Sequence, residues 1–174
     1  MKIKTSMLAK TALMLALLLA IQFSTKGFTQ IVTGSLVNMI LVMTYLLLGL
    51  GSASIVAALS PFCAFFLGIG PAVLALVPFI ALGNLIQAAV IELMRKLTGE
   101  KYLFLGVFAA AIAKFAVLYC LVVLVMLPML NIPDAQAAKI VIMFTWPQLL
   151  TALIGGTSAY FLSIPVKRAL ENRE

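Results

Sequence analysis

The sequence predicts an all-α membrane protein: residues 1–174 form one integral membrane domain, a compact bundle of six transmembrane helices. Three observations lead there. Hydrophobic residues make up 64% of the chain and charged residues only 10%, against about 25% charged in an ordinary soluble domain. The apolar residues gather into segments close to the ~20 residues that a spanning helix needs. No alternating strand-length segments of the barrel type occur, and a span must satisfy its own backbone, so helices follow.

The first segment, Met7–Phe23, follows a basic start and has the look of a secretory signal. Lys10 interrupts it and no small-residue cleavage site follows at Gln22-Phe23, so it is taken as the first helix. Ala12, Ala16 and Ala20 recur every four residues along it, on nearly one face, where another helix backbone can approach closely. Packing inside the bundle is the plain alternative for that strip. The loop Ser24–Thr33 is generous for joining neighbouring helices. Gly34–Leu50 and Ser52–Ile69 form the second and third segments, parted at Gly49-Leu50-Gly51-Ser52. The fourth, Ala72–Met94, follows Gly68-Ile69-Gly70-Pro71. The polar stretch Arg95–Lys101 leads to the fifth, Leu103–Leu127, and Asn131-Ile132-Pro133-Asp134 to the sixth, Ile140–Ile164. Pro61, Pro78 and Pro147 are expected to kink helices without ending them.

Charge orients the bundle. With the N-terminus inside, Lys2, Lys4, Lys10, Arg95, Lys96, Lys101, Lys167, Arg168 and Arg173 are cytoplasmic, while only Lys26 and Lys139 fall outside. Both termini are therefore expected in the cytoplasm and the chain in the cell membrane. The net charge of +7 follows from these segment ends, which face anionic lipid, and does not point to nucleic acid. Histidine is absent and Cys63 and Cys120 lie inside apolar runs, so neither a disulfide framework nor a metal site is expected.

Lys114 stands alone in the apolar run Leu103–Leu127. An ammonium near the bilayer centre costs roughly 2.5–3.5 kcal/mol on insertion scales, and such residues ordinarily face a cavity and serve a function. Snorkelling, or pairing with a carboxylate, is the alternative. Counting at about 1.5 Å per residue from the outer surface puts Gln148 about 12 Å deep, Asn84 about 18 Å, Lys114 about 20 Å and Asn38 about 6 Å. These groups would converge on one cavity of polar groups set in apolar walls, as in small-molecule sites. Tyr119 and Trp146 would supply flat walls. Trp146 and Gln148 point about 200° apart on a regular helix, which favours Gln148 unless Pro147 distorts the turn. Asn38, Asn84 and Gln148 read equally as interhelical hydrogen-bond glue, worth about 0.6 kcal/mol each. Gln87 reads as glue, Glu92 as a partner of Arg95 or Lys96, and Gly155 and Gly156 as sites of close helix packing.

The segments Thr33-Gly34-Ser35-Leu36-Val37-Asn38 and Val77-Pro78-Phe79-Ile80-Ala81-Leu82-Gly83-Asn84 resemble the S components of energy-coupling factor (ECF) transporters. Length, span number, alanine strip and outer loop resemble that family in the same order. The resemblance implies a six-helix bundle with a substrate pocket near the outer side, closed by Ser24–Thr33. It implies a transmembrane coupling subunit docked on Ala12, Ala16 and Ala20, and two ATPase subunits. Lys114 and Asn84 resemble the fifth-helix lysine and fourth-helix asparagine with which some members hold substrate. No Walker-type glycine loop is present, so this chain is expected to bind no cofactor and ATP would be hydrolysed by partners. The expected function is capture of a small micronutrient, such as a vitamin acid, a flavin or another heterocycle with an anionic or carbonyl group. A non-transporting scaffold of the cell envelope is the alternative. A stand-alone secondary transporter is disfavoured by the lack of a mid-depth acid. An enzyme would need acid, base, nucleophile or metal groups, and their constituents are missing.

Overall fold

The structure is a computed structural model that describes residues 5–172, leaving Lys2, Lys4 and Arg173 outside the described residues. It is helical throughout, with no strand among the described residues. In order come α1 (Thr5–Ser24), α2 (Gln30–Phe66), α3 (Val77–Thr98), α4 (Leu103–Leu118), the short α5 (Leu127–Met129), α6 (Asp134–Phe144) and α7 (Trp146–Glu171). A π-helical stretch, Tyr119–Met126, joins α4 to α5 without a break. Five helices are long and apolar enough to cross a membrane: Thr5–Ser24, Gln30–Phe66, Leu74–Thr98, Glu100–Met129 and Asp134–Leu170.

The course of α2 is set by Gly49. Its φ of 80° and ψ of −179° lie in a region essentially reserved for glycine, and no other residue of α2 leaves helical geometry. The chain folds back there. Tyr45 and Ala53 line one small void together with Leu41 and Ala57, while Val37 shares a larger cavity with Pro61 and Ala64. These positions step away from Gly49 by equal numbers of residues on either side, the signature of two antiparallel arms. At its far end α2 closes with a Schellman cap: Ile69 N–H donates to Ala64 O (2.8 Å) and Gly68 N–H to Phe65 O (2.9 Å), with Gly68 at φ 66°.

Several boundaries differ from the sequence expectation. The connection between α1 and α2, expected over Ser24–Thr33, is short, because α2 already begins at Gln30, and Thr33 Oγ1 donates to Thr25 O (2.8 Å) across it. Pro78 lies in the first turn of α3 and Pro147 in the first turn of α7, so both start helices where internal kinks were expected. A proline there removes only an N–H that has no helical partner anyway. The expected span Ile140–Ile164 is consequently broken at Thr145 (φ −96°, ψ −141°). Because α6 ends at Phe144, the carbonyl of Met143 in its last turn has no helical donor. Gln30 Nε2 takes that place, donating to Met143 O at 2.6 Å. Only Pro61, inside α2, has the internal position expected of it.

Both arms of α2 sit at the centre, with α1, α3 and α7 packed around them and α4 closing against α3 and α7. Gly155 brings α7 onto α2: a Cβ there would meet Ser35 O, Asn38 Cβ (2.6 Å) and Met39 N (2.7 Å), two of them backbone atoms that cannot yield. The core beneath is apolar, built from Leu18, Leu41, Val42, Val56, Ala57, Ala88, Ile91, Val107 and Ala110. At the end of α3 away from Asn84, Tyr45 Oη donates to Glu92 Oε2 (2.7 Å). Arg95 bonds both oxygens of Glu92 and reaches Glu100, and Lys96 adds a further ion pair to Glu92.

Candidate functional site

One cavity of about 320 Å³ opens at the end of the bundle where α1 meets α2, inside the range of about 300–1,000 Å³ typical of small-molecule sites. Helical periodicity explains its walls. Gln30, Thr33, Gly34, Val37 and Asn38 recur at the spacing of one helix face and form the α2 side. Val77, Ile80 and Asn84 do the same on α3, and Lys114 and Leu118 on α4. The second arm of α2 adds Ser60, Pro61, Ala64 and Phe65, and the region of the α6–α7 break adds Met143, Phe144 and Gln148. Gln22, Lys26, Phe28, Gly70 and Pro71 make the mouth. Among the described residues two lysines and no carboxylate line this space.

Lys114 is 2% exposed, and its ammonium donates to Asn38 Oδ1 (2.6 Å) and Gln87 Oε1 (3.1 Å). An ammonium has three protons to give. Among the described residues no carboxylate lies within ion-pair distance; Glu92, one turn beyond Gln87, is engaged by Tyr45, Arg95 and Lys96. The Asn38 amide is fixed in turn by its own donors. Asn38 Nδ2 donates to Gly34 O (2.9 Å) and reaches Thr151 Oγ1 (3.4 Å), which leaves Oδ1 facing the lysine. Thr151 Oγ1 donates to Gln148 O (3.1 Å), tying α7 into the same array. The Gln87 Nε2 group is buried without a partner among the described residues. A buried cation held by neutral amide oxygens, beside open volume, can neutralise an anionic or strongly polarised oxygen of a visitor.

Of the six residues the sequence nominated for the site, Lys114, Asn84, Gln148 and Asn38 line the cavity together. Trp146 and Tyr119 do not. Trp146 is 63% exposed and turned outward from the break at Thr145. The Tyr119 ring lies against that of Phe115 on its own helix, with centroids 5.9 Å apart. The flat surfaces of the cavity come from Phe28, Phe65 and Phe144. The depth count put Asn38 some way above Lys114, yet the two touch. α2 starts four residues earlier than expected, which carries Asn38 to about 12 Å below its first turn. The flexible stem of the lysine covers the rest.

Residues the sequence reading did not nominate for the site include Gln22 at the mouth, Gln30 and Thr33 on the α2 wall, Ser60 in the second arm of α2, and Thr151 beside Asn38, while Gln87, expected as interhelical glue, accepts from Lys114. A polar side chain at helical spacing from Asn38 or Asn84 was the available signal: Thr33 and Gln30 lie on the Asn38 face, and Gln87 lies three residues after Asn84. Ala12, Ala16 and Ala20 are all exposed, on the side of α1 away from buried Thr11 and Leu18. Thr11 Oγ1 reaches Ser52 Oγ at 2.7 Å, holding the other face of α1 on α2. In comparisons with protein-family models, curated proteins and solved structures, this chain matches none.

Proposed function

We propose that this chain is the substrate-capture subunit of an ECF-type importer in the cell membrane, taking a small organic micronutrient from outside. One observation carries the reading: the Lys114 ammonium is buried against open volume with amide oxygens as its only described partners. A buried charge without a counter-charge is costly, and an anionic or carbonyl-bearing ligand would relieve it. The reading takes the two arms of α2, which part at Gly49, as separate spans, six in all, and both termini as inside, in keeping with the lysine and arginine distribution. The cavity then faces out. The exposed side of α1 carrying Ala12, Ala16 and Ala20 is the docking face for a coupling subunit, with two ATPase subunits supplying the energy.

Mass spectrometry of small molecules released from the purified protein tests capture directly. Reconstituted uptake should appear only when coupling and ATPase subunits are added. Protein that retains no small molecule and finds no such partners would overturn this reading in favour of a membrane scaffold.

A further inference from the structure

The geometry points to a phospholipid site at the end of the bundle away from Lys114, built for a headgroup that carries a phosphate and a primary ammonium. A second cavity, of about 290 Å³, is enclosed there by the turn of α2, the end of α3, the start of α4 and the last turns of α7. Its polar lining is Tyr45, Glu92, Arg95, Glu100 and Lys167, and its apolar lining Leu46, Leu50 and Leu103. Gly49 borders it as well, with no atom within 4 Å of where a side chain would begin. These residues stand at the ends of the membrane-length helices Leu74–Thr98, Glu100–Met129 and Asp134–Leu170. That is the level at which lipid headgroups lie.

The charges select the headgroup. Ion pairs join Arg95 to Glu92 (3.0 Å) and to Glu100 (3.3 Å), and Lys96 to Glu92 (3.2 Å). Glu92 is thereby satisfied, since Tyr45 Oη also donates to it. Glu100 gives only Oε1 to Arg95, which leaves its second oxygen for a visitor. Lys167, half-buried on the α7 wall, takes part in none of these pairs. The cavity thus offers a cation from α7 and a carboxylate oxygen from the α3–α4 connection. A purely basic pocket suits an anionic headgroup, but two carboxylates line this one and oppose it. A phosphate on Lys167 and an ammonium on Glu100 answer both signs. The ammonium must be primary, because only N–H groups can donate to the carboxylate.

A second observation favours a lipid over a soluble phosphoamine. Phe104 lies against Phe108, Tyr160 and Phe161, with ring centroids 5.0, 5.1 and 5.9 Å away, and Phe108 and Phe161 are exposed. This cluster covers the seam between α4 and α7 directly inward of the cavity. Phe104 is about 6 Å deeper than Glu100 along α4, and Tyr160 about 10 Å deeper than Lys167 along α7. A headgroup seated on Lys167 and Glu100 therefore lays its acyl chains along an apolar, aromatic strip.

Native mass spectrometry of the full chain, delipidated in detergent and titrated with dioleoyl lipids, gives a dissociation constant for each headgroup. Phosphatidylcholine keeps the phosphate but has no N–H on its ammonium. Phosphatidylglycerol has the phosphate alone, and free O-phosphoethanolamine has the headgroup without chains. Phosphatidylethanolamine is expected to bind at least about threefold more tightly than each of them. Glu100→Gln should erase its lead over phosphatidylcholine, and Lys167→Gln should weaken both lipids alike. The comparison of lipids on the parent protein needs no variant, and none of these readouts depends on the Lys114 cavity. A smaller lead over phosphatidylcholine or phosphatidylglycerol overturns the inference. A lead that survives Glu100→Gln, or binding that Lys167→Gln leaves unchanged, places the lipid elsewhere on the bundle and also overturns it. Free phosphoethanolamine that binds as tightly as the lipid would make this a site for a soluble compound, with the same consequence.

Discussion

Lys114 is held by two neutral oxygens, and this decides what its removal does. In Lys114→Met the cost of burying a cation disappears, but Asn38 Oδ1 and Gln87 Oε1 lose their donor. The two effects oppose each other, so thermal unfolding in detergent should move little, while ligand affinity falls about 10- to 100-fold, as expected for a lost charge-assisted hydrogen bond. Unchanged affinity would detach the lysine from the site. Gly155→Ala tests the support behind it. The added methyl strikes Ser35 O, Met39 N and Asn38 Cβ, so α7 must back away from α2 at about 1–3 kcal/mol, and a fall in unfolding temperature should accompany weaker ligand retention. A variant as stable as the parent would show that α7 lies farther off than described. At this scale the sequence was informative where a polar residue broke an apolar run: Lys114, Asn38, Asn84 and Gln148 are isolated polar groups and all line one cavity. Aromatic residues gave no such signal. In a chain with 11 phenylalanines, pattern alone does not tell Phe65 and Phe144 from lipid-facing rings, and Trp146 attracted notice by its chemistry rather than by any constraint on its direction.

Helix boundaries were legible wherever glycine or proline forced the backbone. The expected parting at Gly49-Leu50-Gly51-Ser52 coincides with the non-helical Gly49. The prolines misled because a proline between two apolar stretches can kink one helix or open the next, and the choice rests on whether a tertiary donor meets the freed carbonyl. Here Gln30 meets that of Met143, a pairing between residues 113 apart that no local pattern shows. Gly49→Ala should destabilise the protein by about 1–3 kcal/mol, since alanine at φ 80° and ψ −179° is strained. Limited proteolysis should then cut between the arms of α2, and resistance equal to the parent would mean that the turn tolerates a side chain.

For the molecule as a whole, α1 has one face bound to α2 and another, bearing Ala12, Ala16 and Ala20, left uncovered. Ala16→Leu should leave ligand affinity unchanged and abolish co-purification with a coupling subunit; intact assembly would remove the strip from the docking face. The two ends of the bundle are built differently. One holds the cavity, ringed by short connections and joined across by the Gln30–Met143 hydrogen bond. The other has a second cavity of about 290 Å³ bordered by Tyr45, Glu92, Arg95 and Glu100, which are tied to one another and to Lys96, and apolar Leu41, Val42, Val56 and Ile91 fill the core. On the capture reading proposed above, a bundle open at the Lys114 end would load there, and delivery would depend on the proposed coupling partner rather than on a passage through the apolar middle.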